Sequence, residues 1–235
     1  MLLTRKYPER NEMVQRIISM IGTKIQAHNH SDFSDKTNLY TLKESDLRDF
    51  TIKPITITNK QRFRYIQLVP PSLSILNIAV FEIYAKSRPQ DSTTKSSLPY
   101  IISYADTSAV VPNGLTRLKL LPMDDIANVT MISDGNMETY YSGPLIMVDL
   151  GGSQEIVQIR FAPRNSNNRI VIGDHYELLY FDEGWKSAGV QEAKYNFLEY
   201  KDISENTIYW LHNLDHGKEE LAFNYRNNKQ HFINF

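Results

Sequence analysis

No cysteine occurs among the 235 residues, so thiol nucleophiles, disulfides and thiolate metal centres are excluded at once. The compartment stays open, because a β-sandwich can be secreted without disulfides. A charge excess is also missing. Lys and Arg total 26 against 27 Asp and Glu, a formal net charge of -1, and the basic surplus of a nucleic-acid binder is not there. No apolar run is long enough to span a bilayer. The start, MLLTRKYPERNE, is not a signal peptide, since its apolar portion is Met1-Leu2-Leu3 alone. The expectation is a chain that stays inside, or one cut from a longer exported precursor. Gly and Pro number only 10 each, which argues against a collagen-like or disordered chain. Catalytic signatures are absent too: G-x-S-x-G, H-E-x-x-H, P-loop and G-x-G-x-x-G do not occur. Asp124-Asp125 and Glu219-Glu220 are adjacent pairs, not a demonstrated acid–base couple, and a glycosidase-like carboxylate pair brought together in space is kept only as a third reading. The chain therefore reads as non-enzymatic.

What the chain does have is short extended segments rich in aromatics. Its 14 Tyr residues suit strands or a glycan-facing surface. Between Ile132 and Arg169 a polar turn, Asp134-Gly135-Asn136, is followed by Thr139, close enough to bond back to it. A strand then spans Leu145 to Leu150, stopped by Gly151-Gly152, and a second strand, Ile156 to Phe161, places Val157, Ile159 and Phe161 on one face. Pro163-Arg164-Asn165 ends it. Upstream, Glu12 to Ile25 fits a loop or short helix before a strand at Lys24 to Ala27. Strands are also expected at Leu39–Leu42, Phe50–Thr58, Gln61–Val69 and Leu76–Tyr84. Further on they are expected at Leu98–Ser103, Leu118–Leu121, Tyr176–Phe181, Phe197–Tyr200, Thr207–Leu211 and Leu221–Tyr225. With no helical crossover between them, an antiparallel sandwich is favoured over an α/β fold.

The order DGN-x-x-T, VDLGG, I-x-x-IRF-x-PR, continued by GDHYELLYFDEGW and TIYWLHNLDHGKEELAFNY, resembles the discoidin (coagulation factor 5/8 type C) family. The style is similar to glycan-associated modules of Bacteroidetes surface proteins. The resemblance implies an all-β protein, a galactose-binding-like jelly roll. It also implies a non-catalytic module, often carbohydrate-binding and commonly attached to a larger enzyme, at an extracellular, cell-surface or periplasmic location. The alternative is a structural or protein-interaction sandwich with no glycan ligand.

An internal echo sets the expected domain organisation. PERNEMVQRIISMIGTKIQ parallels PRNSNNRIVIGDHYEL, matching Gly22 with Gly173. FRYIQL parallels IYWLHNL, and NIAVFEIY parallels ELAFNY. Residues 1–88 then form a partial module matching only the later half of a sandwich. Residues 89–97, polar and rich in Ser, Thr and Pro, form a linker, and 98–235 form a complete module. On this reading the chain begins partway into its first module. The bare edge of that half-sandwich needs covering.

Candidate sites follow. The resemblance implies a structural Ca²⁺ at Asp134, Asn136 and Thr139, against a self-capped Asx turn needing no metal. In relatives an Ala-Glu pair helps; here those positions read Ala79-Val80 and Leu221-Ala222, without the carboxylate. Ligand contacts are expected from Tyr141, Arg164, Asn167, Asn168 and Trp185. Aromatic faces stack on the C–H faces of sugars, amides match hydroxyls in both donor and acceptor roles, and a guanidinium pairs bidentately. Each has a plainer reading. Arg164 directly follows a core strand and is favoured as a loop pin, against Asp149 or another carboxylate. Of adjacent Tyr140 and Tyr141 one points in and one out. Trp210 reads as core. His28-x-His30 beside Asp32 reads as solvated surface histidines in preference to a metal pair.

Overall fold

The computed structural model describes residues 1–47, 52–86, 114–123, 129–166, 168–204, 206–216 and 220–233. The expected linker at 89–97 and the strand at Leu98–Ser103 lie outside them. Strands dominate, and every strand pairing is antiparallel. The all-β, antiparallel expectation holds. The described residues divide into two units, one from 11–86 with 114–166, the other from 1–10 with 168–233.

After β1 (Leu2–Leu3), which belongs to the second unit, the sandwich begins with helix α1 (Asn11–Met20). Met13, Ile17 and Met20 recur at helical spacing and are buried, so the apolar stripe faces the core. Then come β2 (Lys24–His28), β3 (Thr37–Thr41), α2 (Glu44–Leu47), β4 (Lys53–Thr56), β5 (Arg62–Val69) and β6 (Leu76–Lys86). The unit is completed by β7 (Leu115–Arg117), β8 (Leu121–Pro122), a 3-10 turn (Val129–Ile132), β9 (Tyr141–Gly143) and β10 (Ile146–Pro163).

The strand β10 holds this unit together. Its first half pairs with β5, and with β8 on its other side; its second half pairs with β4 and β6. It therefore serves both sheets, one ordered β3-β2-β5-β10-β8, the other β4-β10-β6 with β7 and β9 on the far edge of β6. Here Gly151-Gly152 does not stop the strand. The register slips between Asp149 and Gln154, Gly151 takes φ +73°, and the chain bends at this bulge from one sheet into the next. A second irregularity between Ile156 and Gln158 changes which residues face inward. Ile156, Ile159 and Phe161 enter the core, while Val157 is only partly buried. They join Ile146, Val148, Phe81, Ile83 and Ile66; burial of such side chains supplies the main drive to fold.

The division of strands thus differs from the expected boundaries. Residues read as the opening of a separate module, 114–166, complete the half-sandwich formed by 11–86. The bare edge expected there is covered by β10 of the same chain, because β5 and β6 offer hydrogen-bonding edges beside an apolar face.

In the second unit β11 (His175–Phe181), β12 (Trp185–Glu192), β13 (Leu198–Glu199), β14 (Ile208–Asn213), β15 (Phe223–Arg226) and β16 (Lys229–Phe232) follow. They form a sheet ordered β12-β11-β14-β15-β16, with β1 pairing β13 separately. Alternate residues Tyr176, Leu178, Tyr209, Leu211, Phe223 and Tyr225 make the core with Leu3, Ile170 and Leu198. Asn227-Asn228 turns the last hairpin with φ +51° and +59°, as a tight hairpin turn requires.

The sequence echo has a backbone counterpart. Gly22 and Gly173 both sit at φ +91°. The Gly22 amide donates to Leu42 O and the Leu42 amide to Thr23 O, each at 2.9 Å; the Gly173 amide donates to Ala193 O at 2.8 Å and the Ala193 amide to Asp174 O at 2.9 Å. The hairpins β2–β3 and β11–β12 then continue in equivalent register, Ile25 opposite Tyr40 and Tyr176 opposite Gln191. The left-handed glycine is required at both corners, since a side chain there would be strained.

Candidate functional site

The turn after the 3-10 segment carries Asp134, Asn136 and Thr139. The Asn136 amide donates to Asp134 Oδ1 at 2.7 Å and the Glu138 amide to Asn136 Oδ1 at 2.9 Å, two consecutive Asx turns. The Thr139 hydroxyl lies 2.8 and 3.1 Å from the two Asp134 oxygens, and 2.9 Å from both Met131 O and Asn136 O. One hydroxyl proton can serve one acceptor. Carboxylate, carbonyl and hydroxyl oxygens gathered here are the type of hard donor that a Ca²⁺ site would draw on. No set of three His, Asp or Glu able to hold a metal occurs among the described residues; carbonyl and hydroxyl oxygens would have to supply the rest. Arg117 ties this loop to the sheet, donating to Ser133 O and pairing with the buried Glu82 at 2.9 Å.

Of the four described ligand candidates, Tyr141 and Asn168 are buried. Tyr141 is 2 % exposed and donates its hydroxyl to Leu145 O at 2.8 Å; it belongs to the core and is corrected as a ligand contact. Its neighbour Tyr140 points outward, and Arg164 lies over that ring at 3.6 Å. Asp149 is not the partner of Arg164. Arg64 holds it instead through Nε–Oδ1 at 3.0 Å and Nη2–Oδ2 at 2.8 Å, and this guanidinium lowers the Asp149 pKa. Asn168 is 2 % exposed. Its Oδ1 accepts from the Tyr7 amide at 3.0 Å and its Nδ2 donates to Pro8 O at 3.4 Å, so its amide serves the fold, a second correction. Asn167 lies outside the described residues. His28, expected at the surface, is 1 % exposed with its ring edge-on to Phe33 at 4.7 Å; its position near the end of β2, under that loop ring, buries it.

Trp185 is the expected residue that opens onto a site. It follows the Glu183-Gly184 turn, both at positive φ, and is 43 % exposed. Residues opposite on β12, β11 and β14 share the sheet face away from the core. Trp185 faces Phe181, Ser187 faces Leu179 with Trp210 beyond it, and Val190 faces Glu177 with His212 beyond. Since Tyr176, Leu178, Tyr209 and Leu211 point into the core, these alternates must point out. Ring centroids are 5.5 Å apart for Phe181–Trp185 and for Trp185–Trp210, and 4.3 Å for Trp210–His212. The Trp210 indole donates to Glu220 O at 2.9 Å. Trp210 is thus not core, as its strand pattern suggested, but half of a surface pair. The missed signal was β12 itself, whose residues WKSAGVQE lack apolar alternation. Without that strand neither its pairing with β11 nor this face could be drawn.

Comparison of the chain with protein-family models, curated proteins and solved structures gives no match. No helix among the described residues is long and apolar enough to cross a membrane.

Proposed function

We propose that this chain is a non-catalytic carbohydrate-binding module, an accessory part of a larger cell-surface or secreted glycan-processing protein. The observation that carries the reading is the contact of exposed Trp185 with half-buried Trp210, flanked by exposed Phe181, on the outer face of a five-stranded sheet. Aromatic rings offer flat apolar faces to sugar C–H groups, and Glu177, His212 and Ser187 on the same face offer donors and acceptors for hydroxyls. The discoidin-type order of DGN, VDLGG and IRF-x-PR supports the class. The binding face, however, is one that the resemblance did not single out.

Under this reading Ca²⁺ is structural. The Asp134 carboxylate, the Met131 and Asn136 carbonyls and the Thr139 hydroxyl would hold it. Bound there it supplies a fixed positive centre that neutralises the oxygen cluster.

The test is affinity electrophoresis through gels containing soluble polysaccharides, comparing the wild type with Trp185→Ala. Tyr195→Ala serves as control, because Tyr195 is exposed but stacks on Phe197, outside the Trp185–Trp210 pair. Retardation that Trp185→Ala abolishes and Tyr195→Ala keeps is the expected result. Absence of retardation across neutral and acidic polysaccharides sinks the reading. The open face would then belong to a protein partner, consistent with exposed Val190 and Ile208.

A further inference from the structure

We infer that the face bearing Trp185 and Trp210 takes a short, freely rotating stretch of glycan chain and not the packed surface of a crystalline polysaccharide, an inference that rests on the carbohydrate-binding reading above. A crystalline face is flat, so rings that engage it must lie in one plane. Here successive rings turn sharply: 80° between Phe181 and Trp185, 57° between Trp185 and Trp210, and 85° between Trp210 and His212. No two adjacent rings of this row can lie parallel to one flat surface; beside any ring that does, its neighbours stand as walls.

Trp210 also lacks the freedom to flatten. The Trp210 indole N–H is held by Glu220 O at 2.9 Å, and its ring contacts Trp185 on one side and His212 on the other. The reach of the face is short as well. It spans β12, β11 and β14, two strand spacings or about 10 Å across. Beyond the rings in the same direction comes a polar row, Glu177 opposite His212. Desolvating that row against a tightly packed polymer leaves its groups unpaired, which is costly, whereas a mobile chain can turn its hydroxyls to meet them. A sugar ring stacked on one indole and walled by the second is therefore the occupant this geometry accepts.

The experiment uses the full chain in two arms. In the first, isothermal titration measures affinity for soluble polysaccharides and for their two- to four-residue hydrolysis products. In the second, depletion from solution is measured over microcrystalline cellulose and α-chitin powders. Short products binding within about threefold of the polymer, with no depletion by the powders, is the expected outcome. Trp185→Ala then weakens the soluble arm at least about tenfold, the loss of one stacked contact. Depletion by powder equal to or stronger than soluble binding overturns this inference and leaves the carbohydrate-binding reading standing. So does a polymer that binds while its short products do not compete. Binding in neither arm overturns both. Circular dichroism of Trp185→Ala guards against a folding defect, and Trp185→Tyr, which keeps a ring, should recover most of the soluble affinity.

Discussion

Trp185 and Trp210 meet over a strand to which neither belongs: one is on β12, the other on β14, and β11 runs between them. Their contact requires the diagonal offset set by the registers of Phe181 with Trp185 and Leu179 with Trp210, since diagonal neighbours in a sheet are within reach of large rings. The two residues should separate cleanly in mutational effect. Trp185→Ala, at a 43 % exposed position, should change stability by no more than about 0.5 kcal/mol while removing sugar binding. Trp210→Phe keeps a ring but loses the bond to Glu220 O, and should cost about 1 kcal/mol. Urea unfolding of both variants checks this. Equal stability losses would mean that Trp185 is a packing residue.

The oxygen cluster around Thr139 predicts a metal response. Millimolar Ca²⁺ should raise the melting temperature and a chelator should lower it, with Asp134→Ala insensitive to either. At a hundredfold excess over the dissociation constant the gain is about 2.7 kcal/mol. A wild-type melting curve indifferent to both would identify the loop as a pair of Asx turns that closes without a cation.

Asp149 does two things at the β10 bend. It holds Arg64 bidentately, and its Oδ1 accepts from the Gly151 amide at 2.8 Å. Arg64→Ala loses an exposed ion pair and the guanidinium's place 5.1 Å over the Tyr65 ring, and should cost about 1 kcal/mol. Asp149→Ala also releases the turn amide at the bulge, adding about 1 kcal/mol. The expected order in urea midpoints is wild type, Arg64→Ala, then Asp149→Ala. Equal midpoints for the two variants would show that the ion pair alone fixes the bend.

Much of this fold was legible because it is local. The strands at β5, β6 and β11 announce themselves as apolar or alternating runs, and Gly22 and Gly173 mark one repeated corner. The assignment of strands to units was not legible. The edges of β5 and β6 accept β10 by geometry of register and bulge, and both halves of the echo carry similar strands that β10 could have joined. The Gly151-Gly152 pair read as a stop because glycine ends strands as often as it bends them. In the candidate site, Trp185 was found through its turn, but Trp210 needed its partner strand. Tyr141 and Asn168 have surface chemistry in sequence; only tertiary packing shows their polar atoms already bonded to Leu145 O, the Tyr7 amide and Pro8 O.

His28 gives the chain a pH dependence whose sign can be worked out. Burial disfavours the imidazolium and lowers the His28 pKa below its ordinary 6.5, although Asp35 pulls the other way. Neither ring nitrogen has a hydrogen-bond partner among the described residues. The unfolded chain therefore takes up a proton near pH 6.5 that the folded chain refuses until lower pH. Stability is greatest above that range and falls as pH drops from about 7 through 6, with a slope of at most about 1.4 kcal/mol per pH unit for one proton. Asp149 and Asp215, both held low by hydrogen bonds, contribute stability that is lost only in the carboxylate range, well below this window. Replacing His28 by Phe should flatten the curve between pH 7 and 5 without altering its acid limb. Urea titrations of both proteins across that range test this directly, and an unchanged slope in His28→Phe would assign the pH dependence to another group.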